Sequence, residues 1–240
     1  MLRSVADGIW LMDHPLRMPG GIEIGTRSTL VRLPDDSLLL HSPGPMSESQ
    51  REQVHALGKG RVSTLVAPNA FHHLFLEDAL RAFPEASLHA VPRVQARYPA
   101  LCAQPLGETP APVWRGALEQ IVIDGAPRLE EVVFFHRASR TLLLVDLCFN
   151  MRRAANWLTR VFLHIADAYG HFGPSRLARS MIKDKAALRA SVDRILEWDF
   201  DRAVVTHGDV VETGAREALR SAFAWLPAPS SATASGSAAE

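Results

Sequence analysis

The chain has 240 residues, 47% hydrophobic and 22% charged, with 26 Lys and Arg against 26 Asp and Glu. That length suits one large domain or two small ones with a real core, and the neutral balance excludes a global pull toward nucleic acid or an acidic membrane. Two cysteines, Cys102 and Cys148, exclude a disulfide framework and a cysteine-rich zinc site.

In chain order, Ile9–Met12 is a short apolar run expected as an edge or starting strand, and Pro19-Gly20-Gly21 is a turn. Ser28–Leu33 and Ser37–His41 read as a hairpin around Pro34-Asp35-Asp36, ended by Ser42-Pro43-Gly44-Pro45. Ser47 with Gln50 three residues on predicts a capping box and a helix to about Ala56. Val62–Ala67 follows as a buried strand, stopped by Pro68, which has no N–H for a ladder. Leu76, Leu80 and Phe83 then mark one helical face, with Asn69, His72 and His73 in the loop and first turn.

Ser87–Val91 is a further strand, and Pro92 opens a short helix at its first position. Pro99 to Pro112 holds four prolines and reads as surface connection. Glu119–Ile123, Glu131–Phe135 and Thr141–Val145 are three β runs, and Asp146 follows the last. Residues 151–200 read as helical, with clear spacing at Leu188, Val192, Ile195 and Leu196. Ala203–Thr206 is a final strand leading to His207-Gly208-Asp209, and Ala215–Trp225 a closing helix. Residues 227–240, rich in Pro, Ser, Ala and Gly, are expected to be a disordered tail, so the domain is 1–226.

Three loops at strand ends thus carry ionisable residues: His72-His73, Asp146 and His207. In α/β architectures such ends converge on one rim. Two imidazoles and a carboxylate suit Zn²⁺ or Fe²⁺ with open positions for water, whose pKa the metal lowers. The plainer alternative for a His-His pair at a helix start is capping and solvent contact. Segment 151–190 holds eight Arg and Lys against Asp167 and Asp184, either a solvated helical face or a rim that attracts an anionic substrate.

These stretches, with Thr26–Leu33, His41-Ser42-Pro43, Ala67-Pro68-Asn69, Glu131–His136, Ser139–Leu142 and Thr206–Asp209, resemble the metallo-β-lactamase superfamily. The resemblance runs over about residues 5–226 and is closest to a branch defined only as a domain of unknown function. It implies an α/β fold, an αββα sandwich of metallo-β-lactamase type. The superfamily signature is His-x-His-x-Asp-His after a strand. Here Asn69 and Phe71 stand in place of its first two histidines, His73 falls on the aspartate and Leu74 on the last histidine. The third ligand of the first metal site is also missing. Asp146 matches the bridging aspartate and His207 the late histidine.

The resemblance therefore implies one surviving site of His73, Asp146 and His207, with His72 as substitute if the helix starts one residue differently. Asn69, His41 and Glu131 are candidates for substrate contact or for supporting the ligands, and Glu131 for replacing the lost ligand. His136 is expected to face solvent at its strand end. His14, His55, His89, His164 and His171 are expected to be structural. The cofactor implied is one Zn or Fe ion. The function expected is a metal-dependent hydrolase with a reduced mononuclear site, or else a non-catalytic relative that binds a small ligand or a protein. The partner expected is a small molecule, anionic if the basic segment forms a rim, with no nucleic acid and no membrane. Without a signal-length or membrane-length apolar run, a cytoplasmic location is expected.

Overall fold

The computed structural model describes residues 2–57 and 61–228. Nearly all of the expected tail therefore lies outside the described residues. The chain builds two packed sheets flanked by helices. Strands β1 (Leu2–Ala6), β2 (Ile9–His14), β5 (Thr26–Arg32), β6 (Leu38–His41), β7 (Val62–Ala67), β8 (Ser87–Ala90) and β9 (Gln104–Pro105) form the larger sheet in that order. Strands β10 (Leu118–Val122), β11 (Val132–His136), β12 (Thr141–Leu143) and β13 (Arg202–Val204) form the smaller one. A separate hairpin, β3 (Arg17–Met18) and β4 (Ile22–Glu23), turns at Pro19-Gly20-Gly21.

Side-chain alternation makes the sandwich. Along β11, Val132 and Phe134 join the core shared with the larger sheet, whereas Val133 and Phe135 join a second core on the other face. Leu143 and Val204 face the first core, and Leu142, Leu144, Ala203 and Val205 the second. Strands buried on both faces need continuous apolar runs, as these are. Helices α1 (Glu48–Ala56), α2 (Leu76–Ala82) and α3 (Pro92–Arg97) add Val54, Leu76, Ala79 and Val94 to the first core. The second core is closed by Leu188, Val192 and Ile195 of α6 (Lys185–Leu196) and by Leu219 of α7 (Ala215–Ala222). Two further helices, α4 (Trp157–Ile165) and α5 (Arg176–Ser180), lie between β12 and α6.

The capping box at Ser47 and Gln50 forms as the sequence predicts. Three elements depart from expectation. β1 pairs antiparallel with β2 and extends the sheet. The proline-rich stretch is not wholly connection, because Gln104–Pro105 adds a parallel edge strand beside β8. An edge strand tolerates proline, since one side of its backbone needs no partner. The region 151–200 is three helices rather than one helical block, with Phe149 and Met151 making isolated bridges to Gly173 and Tyr169.

β6, β7 and β8 run parallel to one another, as do β12 and β13. The loops leaving β7, β12 and β13 meet at one edge of the sandwich, with Ser42 just past β6.

Candidate metal centre

His72, Asp146 and His207 each point one ligand atom into a common space, all within 4.8 Å of one another. His72 Nε2 lies 3.4 Å from Asp146 Oδ2, and His207 Nε2 lies 3.4 Å from Asp146 Oδ1. The Asp146 side chain keeps 15% of its surface exposed, enough to meet a ligand from a cleft.

Each member is held from behind. His207 Nδ1 is 2.7 Å from the Gly25 carbonyl oxygen. That oxygen only accepts, so Nδ1 carries the proton and Nε2 is the atom presented to Asp146. The His207 ring also stacks on Phe149, with 5.2 Å between centroids and 9° between planes. His72 Nδ1 lies 2.6 Å from Ser42 Oγ. Ser42 adopts a positive φ of 55° to direct that hydroxyl, a conformation rare outside glycine. Asn69 donates from Nδ2 to Asp146 Oδ2 at 2.7 Å, while its Oδ1 accepts from the N–H groups of Phe71 and His72. One buried amide thus fixes both the turn that presents His72 and the rotamer of Asp146.

Glu131 is fully buried and anchors the Asp146 loop. Its Oε1 accepts from the Val145 N–H, and its Oε2 from the N–H groups of Asp146 and Leu147, all at 2.8–2.9 Å. Burial, then the nearby Asp146 charge, pushes its pKa up to about 8 against the pull of those donors. Asp146 goes the other way. Burial alone would raise it, but the His72 charge and the hydrogen bonds from His207 and His72 hold it well below the usual carboxylate range. Two close carboxyls settle into one ionised and one neutral group.

The structure corrects the choice between adjacent histidines. His73 is not in the group; its Nδ1 lies 3.0 Å from the Tyr98 hydroxyl, on the other side of the turn. The turn at residues 71–75 precedes α2, which starts only at Leu76, so His72 points inward. Glu131 does not replace a ligand, since both its oxygens serve backbone N–H groups. His41 does not line the cleft. It is buried beside Phe134, edge-on at 5.4 Å, with Nε2 lacking a hydrogen-bond partner. His136 is buried rather than solvent-facing, with Nδ1 2.7 Å from Ser139 Oγ. His14 is likewise internal, hydrogen-bonded to Ser28 Oγ at 2.9 Å. Sequence reasoning missed Ser42 and Gly25 as supports. A serine at a strand end before Pro43 was the available signal for the first; a backbone carbonyl 182 residues from His207 leaves none.

Gly208 secures the His207 loop. Its φ is 108°, and a Cβ there would sit 2.3 Å from the Asn150 carbonyl carbon and oxygen. Asn150 in turn donates its N–H to the His207 oxygen and accepts from the Asp209 N–H. Gly208→Ala is expected to cost ~1–3 kcal/mol from backbone conformation alone, and more from the clash. A lowered thermal midpoint together with weaker metal binding checks this; an unchanged midpoint would refute the close-approach argument.

His41 gives a pH prediction. Burial pushes its pKa down to about 3, and burial lowers His14 to about 4. The unfolded chain therefore binds more protons than the folded one below ~6.5. Stability from the neutral buried ring is present above that pH and is lost on acidification. His41→Leu removes one such group, so its urea midpoint should fall less between pH 7 and pH 5 than that of the wild type. Equal falls would show that His41 is not the group that titrates.

Chemically, His72, Asp146 and His207 fit a divalent metal. With Nδ1 committed to Gly25, His207 Nε2 faces the Asp146 carboxylate favourably either through a proton, the hydrogen bond that helps keep Asp146 ionised, or through a metal cation bound between them. Metal bonds of ~2.0–2.2 Å in tetrahedral geometry put neighbouring ligand atoms roughly 3.4 Å apart; His72 lies at that distance from Oδ2 and His207 from Oδ1 of Asp146, and one ligand atom from each of the three residues lies within 4.8 Å of the others.

With two sheets face to face between helical layers and a His-Asp-His group at the strand ends, the architecture is the αββα sandwich of the metallo-β-lactamase superfamily, and solved structures share it. The DIM-1 metallo-β-lactamase superposes with a TM-score of 0.63 at 14% identity, covering 93% of this chain and 96% of that one. The FIM-1 metallo-β-lactamase from Pseudomonas aeruginosa, in its mono-zinc form, gives 0.62 at 13% identity, over 93% and 94%. The Flv1 flavodiiron core from Synechocystis sp. PCC6803 gives 0.62 at 15% identity; 94% of this chain spans only 60% of that one. No curated protein sequence matches the chain. Residues 6–165 match the domain of unknown function DUF4336, and the chain belongs to that family.

Proposed function

We propose that the protein is a metal-dependent hydrolase-like protein with one metal per chain, held by His72, Asp146 and His207. The observation that carries this reading is the orientation of His207. Its Nδ1 proton is committed to Gly25, and its Nε2 is aimed at an ionised carboxylate 3.4 Å away. A metal held there would act as a Lewis acid and acidify a bound water. The chain's own residues do the rest. Ser42 and Gly25 fix the two imidazoles, Asn69 fixes the carboxylate, and Glu131, its pKa pushed up to about 8 chiefly by burial, holds the Asp146 loop through three backbone N–H groups. A zinc or iron ion suits two imidazoles and one carboxylate, and leaves open positions for water and substrate.

The supporting set is too small for two metals, because Asn69 spends its amide on Asp146 and Phe71 has no ligand atom. A second reading, a non-catalytic ligand-binding relative, has one observation in its favour. Asp146 is already contacted by Asn69, His72 and His207, a network that closes with a proton in place of a metal. Elemental analysis after zinc- or iron-supplemented expression and dialysis separates the two. About one metal per chain supports the first reading, and none supports the second. About two would show that further ligands exist.

A further inference from the structure

We infer that the cleft above His72, Asp146 and His207 is a binding site for an acyl compound, with its carbonyl head at these three residues and an unbranched apolar chain along the walls. The position of the head rests on the metal-site reading; that of the chain does not. The cavity has a volume of about 470 Å³, within the range of small-molecule sites. Its polar groups are few, and its walls are overwhelmingly apolar, drawn from the β3–β4 hairpin, the turn before α2, and α4 and α5. Three of the chain's six methionines, Met18, Met151 and Met181, line it. Thioether side chains are flexible and polarisable, and suit a ligand without fixed shape.

The mouth points the same way. Phe71, Leu74 and Leu177 line the cavity yet leave 45%, 64% and 65% of their surfaces in water. Exposed apolar side chains lining one cleft are one mark of a ligand-binding groove. Of the eight basic residues between 151 and 190, none lines the cavity. The lining cation that does, Arg17, is largely exposed and pairs with Glu23 at 3.3 Å. So the walls offer no built anion site away from the His-Asp-His end, and a polyanionic substrate does not fit them. One end is polar and metal-ligating, and everything else is greasy and adaptable. That matches a carbonyl or carboxyl head on a hydrocarbon chain.

The probes are saturated fatty acids from butanoate to hexadecanoate, titrated by calorimetry below their micellar concentrations. The full-length protein is used, first metal-free and then after zinc addition. Binding of one molecule per chain is expected, with affinity rising about fourfold per methylene, the equivalent of ~0.8 kcal/mol, until the cavity is full. Leu177→Glu and Phe71→Glu lie at exposed positions where folding is not at risk, and each should weaken dodecanoate binding at least tenfold. Trp157→Ala, exposed but outside the cavity, should leave it unchanged. Affinity independent of chain length, several molecules per chain, or no effect of either glutamate would overturn the inference. Chain-length-dependent binding in a protein that takes up no zinc would leave this inference standing and remove the metal reading. Zinc binding without chain-length dependence would do the reverse.

Discussion

Alanine at position 207 is expected to abolish zinc binding, with a loss of more than ~100-fold in affinity. Removing a group that only orients a ligand costs ~10–100-fold, and His207 is itself a ligand in the proposed site. Its Nε2 faces Asp146 at 3.4 Å, and among the described residues no other histidine than His72 joins that group. His72→Ala should be as damaging. His73→Ala should leave affinity within about threefold, because His73 contacts Tyr98 instead. Ser42→Ala should fall between, within the range of an orienting partner, since its hydroxyl holds His72 Nδ1 at 2.6 Å. His14→Ala and His164→Ala should bind as the wild type does. Calorimetric zinc titration of the set decides the matter. If His73→Ala lost the metal and His72→Ala kept it, the turn at residues 71–75 would present the other histidine in solution, and the site would need rebuilding around it.

That choice between neighbours shows where the sequence stopped being legible. The strands that aim the site were readable, because each is an apolar run ended by polar or turn residues. Val62–Ala67 forms with the bounds its composition implies. That three far-apart strand ends would meet also followed from the architecture. Which of two adjacent histidines turns inward did not follow. It depends on Asn69, whose Oδ1 gathers the N–H groups of Phe71 and His72 and winds the turn one way. The sequence placed Asn69 in the loop, as a candidate for substrate contact or ligand support, without showing that its amide would reach Asp146, 77 positions on. Of the two roles the sequence leaves open for Glu131, supporting the ligands or replacing the lost one, its hydrogen bonds to the Asp146 loop fit the first. A glutamate at a strand entry looks available for metal, and only the fold shows the strand end it faces across the sheet. The apolar cleft was also hidden, because its walls come from the β3–β4 hairpin, the turn before α2, α4 and α5, segments far apart in the chain.

Glu131 carries the second large effect, on stability. Glu131→Ala is expected to lower stability by more than ~3 kcal/mol, because it strands three backbone N–H groups, those of Val145, Asp146 and Leu147. Each buried donor left without an acceptor costs ~1–3 kcal/mol, and water entering the space would recover part of it. Glu131→Gln should cost less. Its carbonyl can still accept from Asp146 and Leu147, but its NH₂ then faces the Val145 N–H, donor against donor. The pH dependence tells the role of charge from the role of shape. With its pKa raised to about 8 in the folded state, Glu131 holds a proton there that the unfolded chain releases near ~4.3. The stability this contributes is complete below the unfolded pKa and is lost as pH rises through 8, by at most about tenfold in the folding constant per unit. Neither variant has that proton to hold. Urea midpoints of the wild type should therefore decline from pH 5 to pH 8 relative to those of Glu131→Gln. If instead the two curves run parallel over that range, Glu131 is ionised in the folded protein, and its three N–H donors outweigh its burial and the charge on Asp146.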